Sequence, residues 1–175
     1  MGNHIGQNGI KHKIASWETL KKEVKKWQAT GLKVIFTNGC FDLLHIGHVY
    51  FLQAAKSYGD KLIVALNSDN SVRKIKGDKR PIIPQNERAE ILAALSCVDR
   101  VVIFDEPTPL SLINYLKPDV LIKGADWPED AIVGKEVVLA RGGKVIRIPF
   151  FKGISTTEII NRIIKRYNLS GDHYT

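Results

Sequence analysis

The feature that most constrains the fold is a regular alternation of short apolar runs with longer stretches of helical periodicity. Five apolar runs are visible, at 33–37, 61–66, 100–104, 119–122 and 144–148. Strands buried on both faces have near-continuous apolar sequence, and strands separated by helices usually pair in parallel. The alternation therefore predicts a parallel sheet that is covered by helices on both faces.

Helical patterns separate and flank these runs. The first begins at Ser16, a favourable N-cap residue, and ends near Gly31; the others cover 46–58, 86–96, 108–117, 135–141 and about 155–167. The sequence thus predicts an α/β fold, a Rossmann-like doubly wound parallel sheet of about five strands. We expect a single domain over 16–168, a loose N-terminal arm at 1–15 and a C-terminal tail at 169–175.

The composition is that of an ordinary globular protein, with 44% hydrophobic and 25% charged residues in a chain of 175. There are only two cysteines, Cys40 and Cys97, which suits a reducing compartment. No apolar run approaches the roughly 18 residues that a membrane span needs. The N-terminus lacks the apolar core of a secretion signal. We therefore expect a cytoplasmic protein with no membrane span.

The loop after the first strand carries the most informative side chains. It reads NGCFDLLHIGH over 38–48, so that His45 and His48 stand three residues apart at a predicted helix start. Both imidazoles can then point to one side of the first turn, beside the unpaired N–H groups that bind phosphate. Ligands of open α/β sheets bind at this carboxyl edge of the strands. The turn therefore predicts a phosphate site.

Two other interpretations of this loop remain open. The two histidines could be capping or surface residues, and Cys40, His45 and His48 could ligate zinc. A zinc site lacks a fourth ligand at a usual spacing in the sequence. Cys40 is interpreted as a small packed residue rather than as a nucleophile.

The net charge of +8 favours polyanionic ligands. A basic cluster at 73–80 follows the second strand, and we interpret it as a mobile flap that could close over a triphosphate; a solvated loop is the alternative. Arg88 stands in the first turn of a predicted helix, where a cation opposes the helix dipole, so an anion could account for it. The basic cluster at 21–26 is interpreted as solvated surface.

Two further strands end in candidate contacts. Lys123, Gly124 and Asp126 follow the fourth strand and look like substrate or ribose contacts, with Trp127 either beside them or packed as a lid. The segment GISTTE at 153–158 opens the last helix with three hydroxyls. Ser155 and Glu158 have the spacing of a capping box, and such a helix start at this edge is also an anion site.

The run GCFDLLHIGH at 39–48 resembles the signature of the HIGH-type nucleotidyltransferase superfamily, which includes cytidylyltransferases and class I aminoacyl-tRNA synthetases. The segments LIVALNSD, KGDKRPI, LIKGADW, GKE and GISTTEII extend the similarity over roughly 33–165. Together they resemble the adenylyltransferase domain of bacterial heptose enzymes, here without the kinase domain to which it is often fused. The resemblance implies transfer of AMP from ATP to D-glycero-β-D-manno-heptose 1-phosphate, which gives ADP-heptose and pyrophosphate for cell-envelope lipopolysaccharide biosynthesis.

A glycerol-3-phosphate cytidylyltransferase is the main alternative, because that group shares the histidine turn and the Gly-Ile-Ser-Thr-Thr helix start. Its members carry Arg-Thr-Glu before that start, where this chain has Phe-Phe-Lys at 150–152. Conversely, Ala-Asp-Trp at 125–127 departs from the Gly-Asp-Tyr of fused heptose enzymes. A basic nucleic-acid-binding module is the non-enzyme alternative, although aromatic residues are not interleaved with the basic stretch.

Carried onto this sequence, the resemblance implies roles for individual residues. The catalytic residues would be His45, His48, Lys76 and Arg88, and the sugar phosphate would bind Asp42 and Lys123. The nucleotide-binding residues would be Thr37, Asn38, Gly39, Cys40, Phe41, Gly47, Lys74, Gly124, Asp126, Ser155, Thr156 and Thr157. Mg²⁺ would accompany the ATP phosphates without a protein side-chain ligand. The expected partners are ATP, a sugar 1-phosphate and a second copy in a homodimer or higher oligomer, with no nucleic acid.

Overall fold

The computed structural model describes residues 7–149 and 153–168. Its strands are β1 (Val34–Gly39), β2 (Lys61–Asn67), β3 (Arg100–Phe104), β4 (Val120–Gly124) and β5 (Lys144–Ile148). All pair in parallel, in the order β3-β2-β1-β4-β5. The five-stranded, doubly wound parallel sheet predicted from the sequence is confirmed.

Helices cover both faces of this sheet. They are α1 (Gln7–Lys11), α2 (Trp17–Ala29), α3 (Ile46–Lys56), α4 (Asp69–Lys76), α5 (Gln85–Ala94), α6 (Leu110–Leu116), α7 (Lys135–Leu139) and α8 (Thr156–Arg166), with a 3₁₀ turn at Glu129–Ala131. One apolar core lies under α3 and α5, and it includes Leu52 and Leu92. The other lies under α2, α6 and α7, and it includes Leu20, Ile113 and Val138. No helix in the described ranges is long and apolar enough to cross a membrane.

Two predicted segments differ from the structure. The basic stretch that was interpreted as a mobile flap is in part the helix α4, which Ser68 caps by accepting a hydrogen bond from the Ser71 N–H. Part of the expected loose arm is also ordered, since residues 7–11 form α1 and Ile14 forms a parallel bridge with Val101. The N-terminal residues 1–6, the tripeptide 150–152 and the tail 169–175 lie outside the described residues. The domain boundaries stay a prediction.

Candidate active site

The main cleft opens where β1 and β4 diverge. These strands pair only at Ile35–Val120 and Phe36–Leu121, and beyond them the Thr37 hydroxyl donates to the Ile122 carbonyl at 3.1 Å. The chain winds from β1 towards β3 on one side and returns to β4 on the other, so this is the topological switch point. A cavity of about 490 Å³ lies there, a volume typical of small-molecule sites.

The two histidines stack on each other in this cleft. His45 is the extended N-cap residue of α3, and its ring centroid lies 3.8 Å from that of His48, with an interplanar angle of 20°. The His45 backbone N–H donates to Nδ1 of His48 at 3.4 Å. Because Nδ1 accepts a hydrogen bond, the proton of a neutral His48 ring belongs on Nε2, which makes Nε2 a donor.

Burial keeps both imidazoles neutral. Burial, together with the neighbouring His45, lowers the pKa of His48 to about 4. Burial also lowers the pKa of His45, although the carboxylate of Glu158 opposes this shift. Near pH 7 the pair therefore presents neutral N–H donors rather than two cations. Such donors suit oxygens on which negative charge develops.

Phe41 supports His48 from the preceding turn. Its φ of 44° lies in the left-handed region, which is uncommon for a residue with a side chain. Its ring lies so close to Gly39 that a Cβ on that glycine would be 2.9 Å from Cε2 of Phe41. The same ring has its centroid 5.1 Å from that of His48. The absence of a side chain at Gly39 thus allows Phe41 to pack beside the histidine.

The N-terminus of α8 lies beside the N-terminus of α3. A Cβ on Gly47 would lie 3.1 Å from the His45 ring and 3.4 Å from Cγ2 of Ile154, so both pack against this glycine. Ser155 caps α8 by accepting from the Glu158 N–H at 3.1 Å. Thr156 and Thr157 line the same cavity. The starts of α3 and α8, with the hydroxyls of α8, therefore converge on one region of the cavity, and unpaired N–H groups at helix starts favour anions.

Lys123 places a buried ammonium on the β4 side. Its Nζ donates to Oδ1 of Asn38 and lies 5.5 Å from the centroid of the Trp127 ring. Burial lowers its pKa to about 8, while Asp126 opposes the shift. Asp126 itself is exposed and does not line the cavity. Lys123 therefore remains mostly charged near pH 7, at a place where a phosphate could approach it.

Asp42 does not have a carboxylate free for a ligand. It lines the cavity, but its side chain has no exposed surface. It accepts hydrogen bonds from the N–H groups of Ile82 and Ile83 at 2.8 and 2.9 Å, and from Nε of Arg80. In this structure its oxygens hold the segment that follows α4, and the expected binding of the sugar phosphate by Asp42 stays a prediction.

Arg88 and Lys74, unlike Asp42, do not line the cavity. Arg88 is fully buried, and each of its three guanidinium nitrogens already donates to a protein oxygen. Lys74 lies exposed on α4, whereas Lys76 of the same helix reaches the cleft. Neither side chain lines the cavity in this structure, and the expected phosphate contacts of Arg88 and Lys74 stay a prediction. Of the eighteen predicted site residues, those that line the cavity are Thr37, Asn38, Gly39, Cys40, Phe41, Asp42, His45, Gly47, His48, Lys76, Lys123, Gly124, Ser155, Thr156 and Thr157.

Several cavity residues escaped the sequence analysis. Pro107, Thr108 and Pro109 follow β3 and line the cavity, as do Ala131 and Val133 near the 3₁₀ turn, together with Phe51 and Asn67. Ile75 and Arg80, from the basic cluster at 73–80, and Ile154, from the segment at 153–158, also line it. The segment 107–109 carried a usable signal, because it follows a strand at the same edge of the sheet. It was missed because it has no charged side chain or glycine.

The donors in the cleft suit phosphate oxygens. They are neutral imidazoles, hydroxyls, backbone N–H groups at two helix starts and the ammonium groups of Lys76 and Lys123. Within 7–149 and 153–168, no group of three or more His, Cys, Asp or Glu side chains is arranged to hold a metal ion. Burial raises the pKa of the Cys40 thiol, which keeps it protonated.

A family model described as Cytidylyltransferase-like matches residues 36–162, which include every strand of the sheet except the first two residues of β1. This chain belongs to the cytidylyltransferase-like family. The match covers the histidine turn and most of α8, so the predicted membership of the HIGH-type nucleotidyltransferases is confirmed.

This cytidylyltransferase-like chain is similar to proteins named Bifunctional protein HldE. The one from Geobacter metallireducens is 54% identical over 168 residues, which are 93% of this chain and 34% of the relative. The one from Geotalea uraniireducens is 56% identical over 167 residues, with the same shares. The chain therefore spans about a third of the length of the curated relatives it matches.

Two solved structures resemble this cytidylyltransferase-like fold. A lipopolysaccharide core biosynthesis protein from Thermoplasma volcanium is 27% identical, with a TM-score of 0.58 over 71% of this chain and 100% of that one. Pantoate-beta-alanine ligase from Francisella tularensis, complexed with β,γ-ATP and β-alanine, has a TM-score of 0.59 at 17% identity and covers 93% of this chain and 81% of that one. The second likeness is one of fold alone.

Proposed function

We propose that this chain transfers AMP from ATP to D-glycero-β-D-manno-heptose 1-phosphate and releases pyrophosphate, a step of cell-envelope heptose biosynthesis. The stacked pair of neutral histidines at the start of α3, beside the start of α8, is the observation that carries the proposal. The identity of more than half of the residues to the HldE proteins supports the heptose substrate.

In the proposed reaction, an oxygen of the sugar phosphate attacks the α-phosphorus of ATP. The new P–O bond forms as the bond to the pyrophosphate oxygen breaks, and the electron pair leaves with the pyrophosphate. The attacking phosphate is already an anion near pH 7, so the step needs no general base. Catalysis then consists of positioning and of hydrogen bonds that strengthen as charge develops.

His45 and His48 donate to phosphate oxygens of the nucleotide around the reacting centre. Ser155, Thr156 and Thr157 seat the triphosphate at the start of α8, and Lys76 contacts its outer phosphates. Lys123 attracts the phosphate of the acceptor. The walls around the nucleotide are formed by Thr37, Asn38, Gly39, Cys40, Phe41, Gly47 and Gly124. These roles belong to the proposal.

Mg²⁺ fits this site as an ion that enters bound to the ATP phosphates and has no protein side-chain ligand. The carboxylate of Asp42, which lines the cavity, is occupied by N–H donors, and the remaining donors favour anions. Bound to the phosphates, Mg²⁺ would neutralise charge on the leaving pyrophosphate. We also propose that the protein works as a homodimer or a higher oligomer.

A pyrophosphate-release assay tests the proposal. Purified protein with Mg²⁺ is offered ATP or CTP, each with heptose 1-phosphate or glycerol 3-phosphate, and the same panel is run on His48→Ala. Release with ATP and heptose 1-phosphate, lost in the variant, is the expected result. Release only with CTP and glycerol 3-phosphate would establish the cytidylyltransferase alternative. Salt-sensitive binding of random oligonucleotides without any turnover would instead favour a nucleic-acid-binding module.

A further inference from the structure

The side chain of Arg88 joins three separate segments behind the wall of the cleft. Nε donates to the Ile83 carbonyl at 2.8 Å, Nη1 donates to the Cys40 carbonyl, and Nη2 pairs with Oδ1 of Asp69 at 2.7 Å. Cys40 lies in the loop after β1, Ile83 precedes α5, and Asp69 is the first residue of α4. Because a guanidinium is a rigid fork, these three contacts fix the segments relative to one another.

Asp42 joins two of the same segments from the other direction. Its carboxylate accepts from the N–H groups of Ile82 and Ile83 at 2.8 and 2.9 Å. Ile83 is therefore held at both ends, with its N–H on Asp42 and its carbonyl on Arg88. The loop after β1 is also held at two points, which are two residues apart. The Cys40 carbonyl accepts from Arg88, and the Asp42 carboxylate accepts from the N–H groups of Ile82 and Ile83.

Phe41 is the residue between these two attachment points. Its left-handed backbone conformation is one that a residue with a side chain adopts only where its surroundings enforce it. The Phe41 ring in turn packs beside His48, with 5.1 Å between the ring centroids. A continuous chain of contacts thus leads from the buried guanidinium to the imidazole.

We propose that Arg88 is a positioning residue for nucleotidyl transfer, which holds the Cys40–Asp42 loop so that Phe41 keeps the His48 ring in place. Its effect on turnover rests on the proposed function, whereas its effect on the His48 ring does not. A role as a phosphate ligand is a separate expectation. To bind phosphate, the guanidinium would have to leave its present partners, and three protein oxygens would then lose their hydrogen-bond donor.

The variant Arg88→Lys tests the proposal, because lysine keeps the charge but cannot reach three partners with one ammonium. The pKa of His48, which burial lowers to about 4, is expected to rise towards its usual value of 6.5 when the ring is less tightly enclosed. This is measured by NMR titration of the ring signals. We expect kcat to fall on the order of tenfold or more, with KM for ATP changed by less than about threefold.

Arg100→Lys is the matched control. Arg100 makes a two-pronged ion pair with Glu23 at the amino end of β3, away from the cleft. We expect it to lower Tm without moving the His48 titration or the ratio of kcat to KM. If Arg88→Lys does not fold, Asp69→Asn replaces it. This variant weakens the ion pair between Arg88 and the partly exposed Asp69, and the same His48 titration and kinetic constants are measured.

The two proposals fail differently. A folded Arg88→Lys protein with an unmoved His48 titration, or with a raised KM for ATP and an unchanged kcat, overturns the positioning role and favours a phosphate ligand. If the wild-type protein transfers no nucleotide to any acceptor in the panel, the proposed function fails, and the His48 titration alone still decides whether Arg88 acts on that ring.

Discussion

The imidazole rings of His45 and His48 lie face to face, with 3.8 Å between their centroids and 20° between their planes. Two positive charges at that separation would repel each other, and burial further disfavours charge on either ring. The arrangement therefore stabilises the neutral forms. At the proposed phosphate site, the pair would supply hydrogen-bond donors that strengthen as charge develops on the bound oxygen, without adding a positive charge of their own.

His48→Ala is expected to lower kcat by on the order of 10² to 10³, the usual cost of removing one donor to a transition-state oxygen. The fold should persist, because the substitution removes a side chain at the cleft and not from either apolar core. Steady-state kinetics and the circular dichroism spectrum measure the two effects. Near wild-type turnover in a folded variant would remove His48 from the mechanism.

The free energy of unfolding should depend on His48 below pH 6.5. Because burial lowers the pKa of His48 to about 4, the unfolded state binds more protons between pH 6.5 and pH 4. The stability is complete above pH 6.5 and declines as the pH falls through this window. We expect this residue to account for a loss of about 2 kcal/mol between pH 7 and pH 5.

Urea denaturation of the wild type and of His48→Gln at several pH values measures that loss. The acid-induced decline should be shallower in the variant, which has no imidazole to protonate at this position. Equal slopes in the two proteins would mean that the folded-state pKa of His48 is not lowered.

Lys123 should make acceptor binding sensitive to alkaline pH. Its ammonium loses its proton around the lowered pKa of about 8, whereas the acceptor phosphate keeps its charge above pH 7. KM for the sugar phosphate is therefore expected to rise between pH 7 and pH 9.5. In Lys123→Met it should already be raised about ten- to a hundredfold at pH 7 and stay flat, since a charged hydrogen bond contributes about 1.5–3 kcal/mol. A parallel rise in both proteins would contradict the assignment.

Gly39→Ala should impair activity more than stability. The added Cβ would lie 2.9 Å from the Phe41 ring, which would have to move, and His48 packs beside that ring. A displaced catalytic group can cost on the order of ten- to a hundredfold in kcat. Gly9→Ala is the control, because a Cβ there meets no atom within 4 Å and alanine has a higher helix propensity than glycine in α1. Equal kcat values in the two variants would show that the glycine contact is dispensable.

The sequence anticipated most of the cleft because its residues stand at the carboxyl ends of strands. His45 and Ser155 open helices and Lys123 stands near the carboxyl end of β4, and any parallel sheet brings such positions together. The segment 107–109 obeys the same rule but lacks chemically distinctive side chains. Lys74 and Lys76 differ because a helix turns them to different sides, and the sequence analysis had treated their segment as a loop.

The sequence by itself determined the alternation of strands and helices, and hence the sheet and the edge at which a ligand binds. Those features follow from local periodicity and from the helical crossovers that parallel strands require. Only the tertiary structure decided the partners of Arg88 and Asp42. A charged side chain binds whichever partners the fold brings near it, and these include Cys40, 48 residues from Arg88, and Ile83, 41 residues from Asp42. Once their donors and acceptors were satisfied within the protein, both residues became part of the scaffold around the site.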